Sequence, residues 1–462
     1  MKTERVSRAV LLAGAGAVLA GAVALFATDG LVGPGRDGPR PAPGAAGQAV
    51  RAAGAGARAS LPELHALIGD REKWLRAHPR DEASWAVLGA AYVERGTREG
   101  DPAAFPRAER ALRRSLAVYP AAKGNADAQL GLGALANARG DFAAARRWGE
   151  AVRERSPRRW EAYAVLVDAY RGLGDHVSAG RAADRLGALR PGATALSRAA
   201  QVYRDRGWRE DASATAAEAV ARADTPAERA ACLQRLGDLA WERGEPAEAA
   251  ARHAAALDLV PRHGPALAGR ARALAALGRT EEAVRGYRAA LEAQPLPEYA
   301  LEAGELLQAL GRRDEAREQY ARLRELAEEE AAHGVNASLV PARFEADHAD
   351  PEAAVTWLRA EWRRGHRSVE VADALGWALY RAGRAREALP FARRATERGL
   401  RSALFSYHRG MIERELGMAG AARRRLSEAL RVHPEFSPLF APRAREALAA
   451  LGEPPLRAPR GR

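Results

Sequence analysis

Asp373, Trp377 and Tyr380 stand at i, i+4 and i+7, a spacing that places them on one face of a helix. One 34-residue step further along, Tyr407, Met411 and Arg414 repeat that spacing, with His408 beside the first of them. Aromatic, methionine and charged side chains set next to one another are the types enriched where one protein grips another. The expected chemistry is recognition of a peptide or partner helix through Asp373, Trp377, Tyr380, Tyr407, His408, Met411 and Arg414. The alternative is that these aromatics pack neighbouring helices or a C-terminal cap.

Residue types that make and break bonds are scattered. None of the ten histidines forms an HExxH motif or an i,i+4 pair: His253 and His263 are separated by a loop, and His333 and His348 flank a weak helix. His253 occupies a large buried position and reads as a core histidine. A single cysteine, Cys232, excludes an intramolecular disulfide and any thiolate metal site, and it reads as a small semi-buried thiol. Gly131 and Gly133 fall inside a helical pattern, so no phosphate-cradling loop is present. No catalytic residue, cofactor or metal is expected, and the chain reads as a non-enzyme.

The elements that must position the aromatic pair are helices. Isoleucine occurs only at Ile68 and Ile412, which starves any extensive sheet, while the apolar fraction of 47% is mostly alanine and leucine, both helix formers. From Leu61 the chain repeats itself. Leu166, Tyr170, Gly174, Ala179, Ala183, Leu186 and Pro191 have counterparts at the same offsets in Leu236, Gly237, Ala240, Gly244, Ala249, His253, Ala256 and Pro261. Further counterparts follow in Leu274, Gly278, Ala283, Tyr287, Ala290 and Pro295, and in Gly410, Gly417, Ala422, Leu426, Ala429 and Pro434. Large residues make the buried stripe of a first helix, a small residue lets the second helix approach, glycine permits the turn, and proline ends the unit.

These offsets resemble the tetratricopeptide repeat (TPR), most clearly in Trp85-x2-Leu88-Gly89-x2-Tyr92. The resemblance implies an all-α, right-handed TPR superhelix, an α-solenoid of about ten helix-turn-helix units with a C-terminal capping helix. Units are placed at 82–122, 126–159, 160–192, 193–226, 230–263, 264–296, 297–334, 335–368, 369–402 and 403–436, within an array spanning 61–451. Leu61–His78 reads as an extra half-unit and Arg443–Leu451 as the cap. The stretches DALGWALYRAGR and YHRGMI also resemble bacterial tandem-repeat proteins with an N-terminal membrane segment. In this family the concave groove is lined by the first helix of each unit. Its positions here are small early on (Ala83, Ala86, Ala90) and polar in the middle (Gln201, Arg204, Asp238, Trp241, Arg272, Glu305, Gln308). The lysine and asparagine pattern with which the family clamps peptide C-termini is absent.

Lys2, Arg5 and Arg8 precede a charge-free stretch from Ala9 to Ala27, the order of an export signal or signal-anchor helix over 1–28, and Ala22-Val23-Ala24 offers a cleavage pattern. Residues 29–60 read as a flexible Gly/Pro/Ala linker and 452–462 as a disordered basic tail. The array is expected outside the cytoplasm, anchored by its N-terminal helix or secreted if that segment is cleaved. Of 72 basic residues only Lys2, Lys73 and Lys123 are lysines, so the net charge of +13 is arginine spread over helix faces. The expected partner is a protein or peptide, with arginine-mediated binding of an anionic polymer or membrane surface as the alternative; nucleic acid is disfavoured.

Overall fold

The computed structural model describes residues 44–54, 57–336, 338–397 and 399–452. Among these the chain forms 23 α-helices and one short 3-10 turn, with no strand. Helices α1 (Ala45–Gly54) and α2 (Leu61–Ala77) make a first hairpin. Then come α3 (Glu82–Glu99) with α4 (Ala104–Val118), α5 (Ala126–Ala138) with α6 (Phe142–Arg155), and α7 (Trp160–Gly172) with α8 (His176–Leu189). The middle of the array pairs α9 (Ala193–Arg206) with α10 (Arg209–Ala221), α11 (Pro226–Glu242) with α12 (Pro246–Leu259), and α13 (Gly264–Ala276) with α14 (Thr280–Ala293). Beyond it α15 (Pro297–Ala309) pairs with α16 (Arg313–Ala332) and α17 (Leu339–His348) with α18 (Pro351–Arg363). The last pairs are α19 (Val369–Arg381) with α20 (Ala385–Glu397) and α21 (Ala403–Glu415) with α22 (Ala419–Val432), closed by α23 (Phe440–Ala450). The architecture is an α-solenoid.

Local signals start many of these helices. The side chains of Asp81, Asp141 and Asp175 accept from the backbone N–H groups of Ser84, Ala144 and Ser178, satisfying donors that a helix N-terminus leaves free. Ser368 and Ser402 do the same for α19 and α21. Within a hairpin, the two helices meet through matched sizes. Leu112 packs on Gly89, where a Cβ would lie 2.5 Å from its Cγ, and Tyr320 packs on Gly304 in the same way. In the third unit the sizes are exchanged: buried Val167 on the first helix meets buried Ala183 on the second. Conserving summed volume at the crossing keeps each interface close-packed.

The solenoid winds tightly enough for successive turns to touch. Gln294 Nε2 donates to Thr97 O at 2.8 Å across a separation of 197 residues, and Arg209 Nη2 donates to Arg401 O at 3.1 Å across 192. Asn336 N donates to Arg139 O at 2.7 Å, Phe142 meets His366 edge to face at 5.0 Å, and Trp241 meets His433 at 4.2 Å. This seam joins the turn inside each early hairpin to a later linker between hairpins. At Gly174 the backbone has φ +74°, and an added Cβ would lie 2.5 Å from Arg367 O, so glycine is required twice over.

Two boundaries differ from the sequence expectation. The linker placed at 29–60 includes α1, whose Ala49 is fully buried in the first core cluster, and Thr225 Oγ1 donates to Arg58 O at 2.7 Å. Alanine-rich sequence has the propensity for helix, and packing on α2 supplies what composition alone lacked. Helix α2 is accordingly half of a complete hairpin, and the cap begins at Phe440. The segment expected to enter a membrane, 1–28, and most of the tail at 452–462 lie outside the described residues. Among the described residues no helix is long and apolar enough to cross a membrane.

Candidate functional site

Winding the first helices around an axis leaves a cavity of about 430 Å³, bounded by α7, α9, α11, α13, α15, α17, α19 and the chain from α21 to α23. That size suits a small molecule or a few residues of peptide. Helix α9 contributes Arg204 and Asp205, α11 Trp241 and Glu242, and α13 Arg272. From α15 come Glu298, Glu302 and Glu305, from α17 Arg343, and from α19 Glu370 and Asp373.

Most of these charges are paired. Arg204 Nε donates to both carboxylate oxygens of Glu242 at 2.9 and 3.1 Å, its Nη1 donates to Asp205 at 2.8 Å, and Arg171 Nε donates to Asp205 at 2.6 Å. Arg272 grips Glu302 at 3.1 and 2.6 Å, and the Tyr287 hydroxyl donates to the same carboxylate at 3.0 Å. Bidentate guanidinium–carboxylate contacts fix orientation as well as neutralising charge. Buried pairs of this kind add little net stability, yet removing one partner is costly.

A few groups are left over. Arg204 Nη2, Asp373 Oδ1 and His433 Nε2 have no hydrogen-bond partner among the described residues, and their side chains sit in residues only 3%, 4% and 2% exposed. Burial pushes the His433 imidazole down to about 4, so it is neutral at pH 7. Its Nδ1 accepts from Glu435 N at 3.2 Å, which places the remaining hydrogen on Nε2 as a donor. Glu298 makes no ion pair within 4 Å among the described residues. Burial and then the neighbouring Glu302 push its carboxyl up to about 7, against the pull of Arg272 and Arg343. Among the described residues no three His, Cys, Asp or Glu side chains are gathered so as to hold a metal ion.

The seven residues picked out by spacing do not share one surface. Asp373 lines the cavity, and its Oδ2 pairs with His408 Nδ1 at 2.9 Å. His408 stacks on Trp377 at 4.0 Å, Trp377 Nε1 donates to Asp347 Oδ1 at 2.9 Å, and Tyr407 stacks on Phe440 of α23 at 5.4 Å. Trp377, Tyr407 and His408 are buried, Tyr380 and Met411 half-buried, and Arg414 exposed. For the three buried rings, packing between helices and against the cap is the observed arrangement, because α23 covers the face that spacing alone leaves open. The polar middle-unit positions divide: Arg204, Trp241, Arg272 and Glu305 line the cavity, and Gln201, Asp238 and Gln308 do not. Glu298, Glu302, Glu242 and Arg343 were not singled out from the sequence. The i, i+4, i+7 spacing of Glu298, Glu302 and Glu305 was a signal that could have found the first two.

Residues 240–304 match the family model described as tetratricopeptide repeat. No curated protein matches the chain by sequence. Among solved structures, the chain is similar to one described as the APC/C hetero-tetramer Cut9-Hcn1, at 13% identity and TM-score 0.43, over 88% of this chain and 83% of that one. Another is the human IFIT1 dimer with PPP-AAAA, at 15% identity and TM-score 0.43, over 73% and 79% of the two chains. A third is a thermophilic TPR protein of Thermus thermophilus, at 24% identity and TM-score 0.35, over 40% and 99%.

Proposed function

We propose that this chain, a TPR protein by its repeated hairpins and by the match at 240–304, is a non-catalytic scaffold that holds a segment of a partner protein inside its superhelix, outside the cytoplasm. TPR proteins commonly bind proteins or peptides, and stacked repeats generate extended concave surfaces for doing so. The observation that carries the reading is the cavity of about 430 Å³, walled by first helices and supplied with donors and an acceptor that have no partner among the described residues. Export is supported by Lys2, Arg5 and Arg8 ahead of the charge-free stretch Ala9–Ala27.

Photocrosslinking tests both parts. Benzoylphenylalanine in place of Ala275, on the cavity wall, is expected to capture one discrete partner in intact cells, whereas the same group in place of exposed Ala321 captures none. Externally added protease should degrade the array in cells with a permeabilised outer boundary and an intact inner membrane. Equal capture at both positions rules out the interior site, and protection from protease rules out the extracytoplasmic placement.

A further inference from the structure

The cavity wall carries more negative charge than its own arginines neutralise. Eight carboxylates line it against four guanidinium groups. Arg171, Arg204 and Arg272 are engaged by Asp205, Glu242 and Glu302 at 2.6 to 2.9 Å. Of the carboxylates that remain, Glu370 lies 3.9 Å from Arg204 and Glu435 is paired with Arg445. Among the described residues Glu305 has only His348 Nε2 at 3.7 Å as an ion-pair neighbour, and Asp373, whose Oδ2 meets His408, keeps Oδ1 without a hydrogen-bond partner while 4% exposed. Glu298 lies one helical turn from Glu302 on the same face of α15, and burial and then that neighbour raise its carboxyl against the pull of Arg272 and Arg343. Glu298 and Glu305 are half-buried and Asp373 is buried, and none of the three has a guanidinium group of the chain within ion-pair distance among the described residues, so the cavity offers carboxylate oxygens to a cation from outside.

Among the described residues no three acids converge as metal ligands do, whereas a guanidinium group spreads five N–H donors over its plane and reaches carboxylates set further apart. The same cavity also carries donors, Arg204 lying beside the α19 carboxylate Glu370 at 3.9 Å. Arg204 Nη2 and His433 Nε2–H are donors in want of an acceptor, and the Trp241 ring stands beside both His433, at 4.2 Å, and Arg272. A ligand that answers both the carboxylates and these donors has a cationic arm and a carbonyl oxygen.

We propose that the cavity binds a basic side chain of an extended peptide, its ammonium or guanidinium group taken by Glu298, Glu305 and Asp373 and a main-chain carbonyl accepting from Arg204 Nη2 or His433 Nε2. The proposal rests on the interior-site reading above and adds the chemistry of the guest. Ala275, Ala276 and Ala374, small residues that line the cavity, leave room for the peptide backbone.

Calorimetric titration of the full chain tests it with three probes: acetyl-Gly-Arg-Gly-amide, acetyl-Gly-Glu-Gly-amide, and agmatine, which has the guanidinium arm without the carbonyl. The arginine peptide is expected to bind at least tenfold more tightly than the glutamate peptide, with agmatine between them. Glu298→Gln should weaken the arginine peptide at least tenfold while leaving thermal stability unchanged or higher; a purely structural Glu298 would lower it. Ala275→Trp, which fills the cavity, should abolish binding. Equal binding of the two peptides, both lost in Ala275→Trp, overturns the charge assignment and leaves the interior site standing. Binding unaffected by Ala275→Trp, or no binding of either peptide, overturns both. Agmatine binding as tightly as the arginine peptide overturns the peptide and leaves a small cation as the ligand.

Discussion

Gly174 and Gly278 occupy the same place in their repeats, the turn between first and second helix, with φ of +74° and +75°, yet their surroundings differ. At Gly174 a later winding of the superhelix lies against the turn, with Arg367 O and the Ser368 backbone where a side chain would be. At Gly278 no described residue beyond its chain neighbours lies within 4 Å of an added Cβ, and the same is true of Gly311, Gly383 and Gly417. The early half of the array uses its turns twice, to reverse the chain and to receive the later half. The late half uses them once. One repeat motif therefore supports two mechanical roles, and position along the solenoid decides which.

The comparison breaks most visibly by adding a methyl group at each turn. Gly278→Ala bears only the strain of a left-handed backbone, about 1 kcal/mol. Gly174→Ala adds displacement of a packed backbone, giving roughly 3 kcal/mol in urea unfolding. It should also open the seam, raising the radius of gyration in small-angle scattering, which Gly278→Ala leaves unchanged. Equal effects at the two glycines would mean that the windings do not bear on each other in solution.

Acid separates stability held inside a unit from stability held at the seam. His253 lies in the fifth unit, its ring between Gly237 of its own hairpin and Gly269 of the next, away from the seam contacts. Burial pushes its imidazole down to about 3, so it stays neutral in the folded chain while the unfolded chain takes up a proton near 6.5. Its contribution is complete above that value and is lost as pH falls toward the folded value, at about 1.4 kcal/mol per pH unit. Between pH 6.5 and 5 that amounts to roughly 2 kcal/mol. His253→Phe, like the tyrosines of the two following units in size, should flatten the slope of melting temperature against pH by this share while scattering at pH 7 stays unchanged. An unaltered slope would place the acid response elsewhere, as at His263 and His433, whose imidazoles burial also pushes down.

A smaller effect is expected from a single seam hydrogen bond. Gln294, 5% exposed, donates to Thr97 O and accepts from the Tyr299 hydroxyl at 3.2 Å, so Gln294→Ala should cost about 1 to 2 kcal/mol. Arg312, whose ion pairs with Glu281 and Glu315 lie in solvent, is the matched control, and Arg312→Ala should leave the melting temperature unmoved. A larger loss for Arg312→Ala than for Gln294→Ala would invert the ranking of seam over surface.

The hairpins were legible from the chain alone because each depends on neighbours within one period. Alanine and leucine content, the aspartate and serine caps, and the offset of glycine against a large residue are all local, and each points to a helix pair. The polar cavity wall was partly legible, since Arg204, Trp241, Arg272 and Glu305 stand at groove positions that recur with the repeat. Trp377 and Tyr407 show where such reading stops. Their spacing sets Trp377 on a face of α19 with Asp373 and Tyr380, and Tyr407 on a face of α21 with Met411 and Arg414, but says nothing of α23, which folds over both rings and seats Phe440 on that of Tyr407.

Local sequence thus determined the helices, their pairing and the period. Only the tertiary structure decided which turns meet, which charges share a cavity and which aromatics are covered. The physical reason is accumulation. Each hairpin is rotated on the last by an amount set by side-chain volumes at one interface, and contacts across 192 to 197 residues depend on the sum of several such rotations. Asp373 and Arg204 illustrate the outcome: they line one cavity though five repeats of chain separate them, and no pattern within a single repeat encodes that meeting.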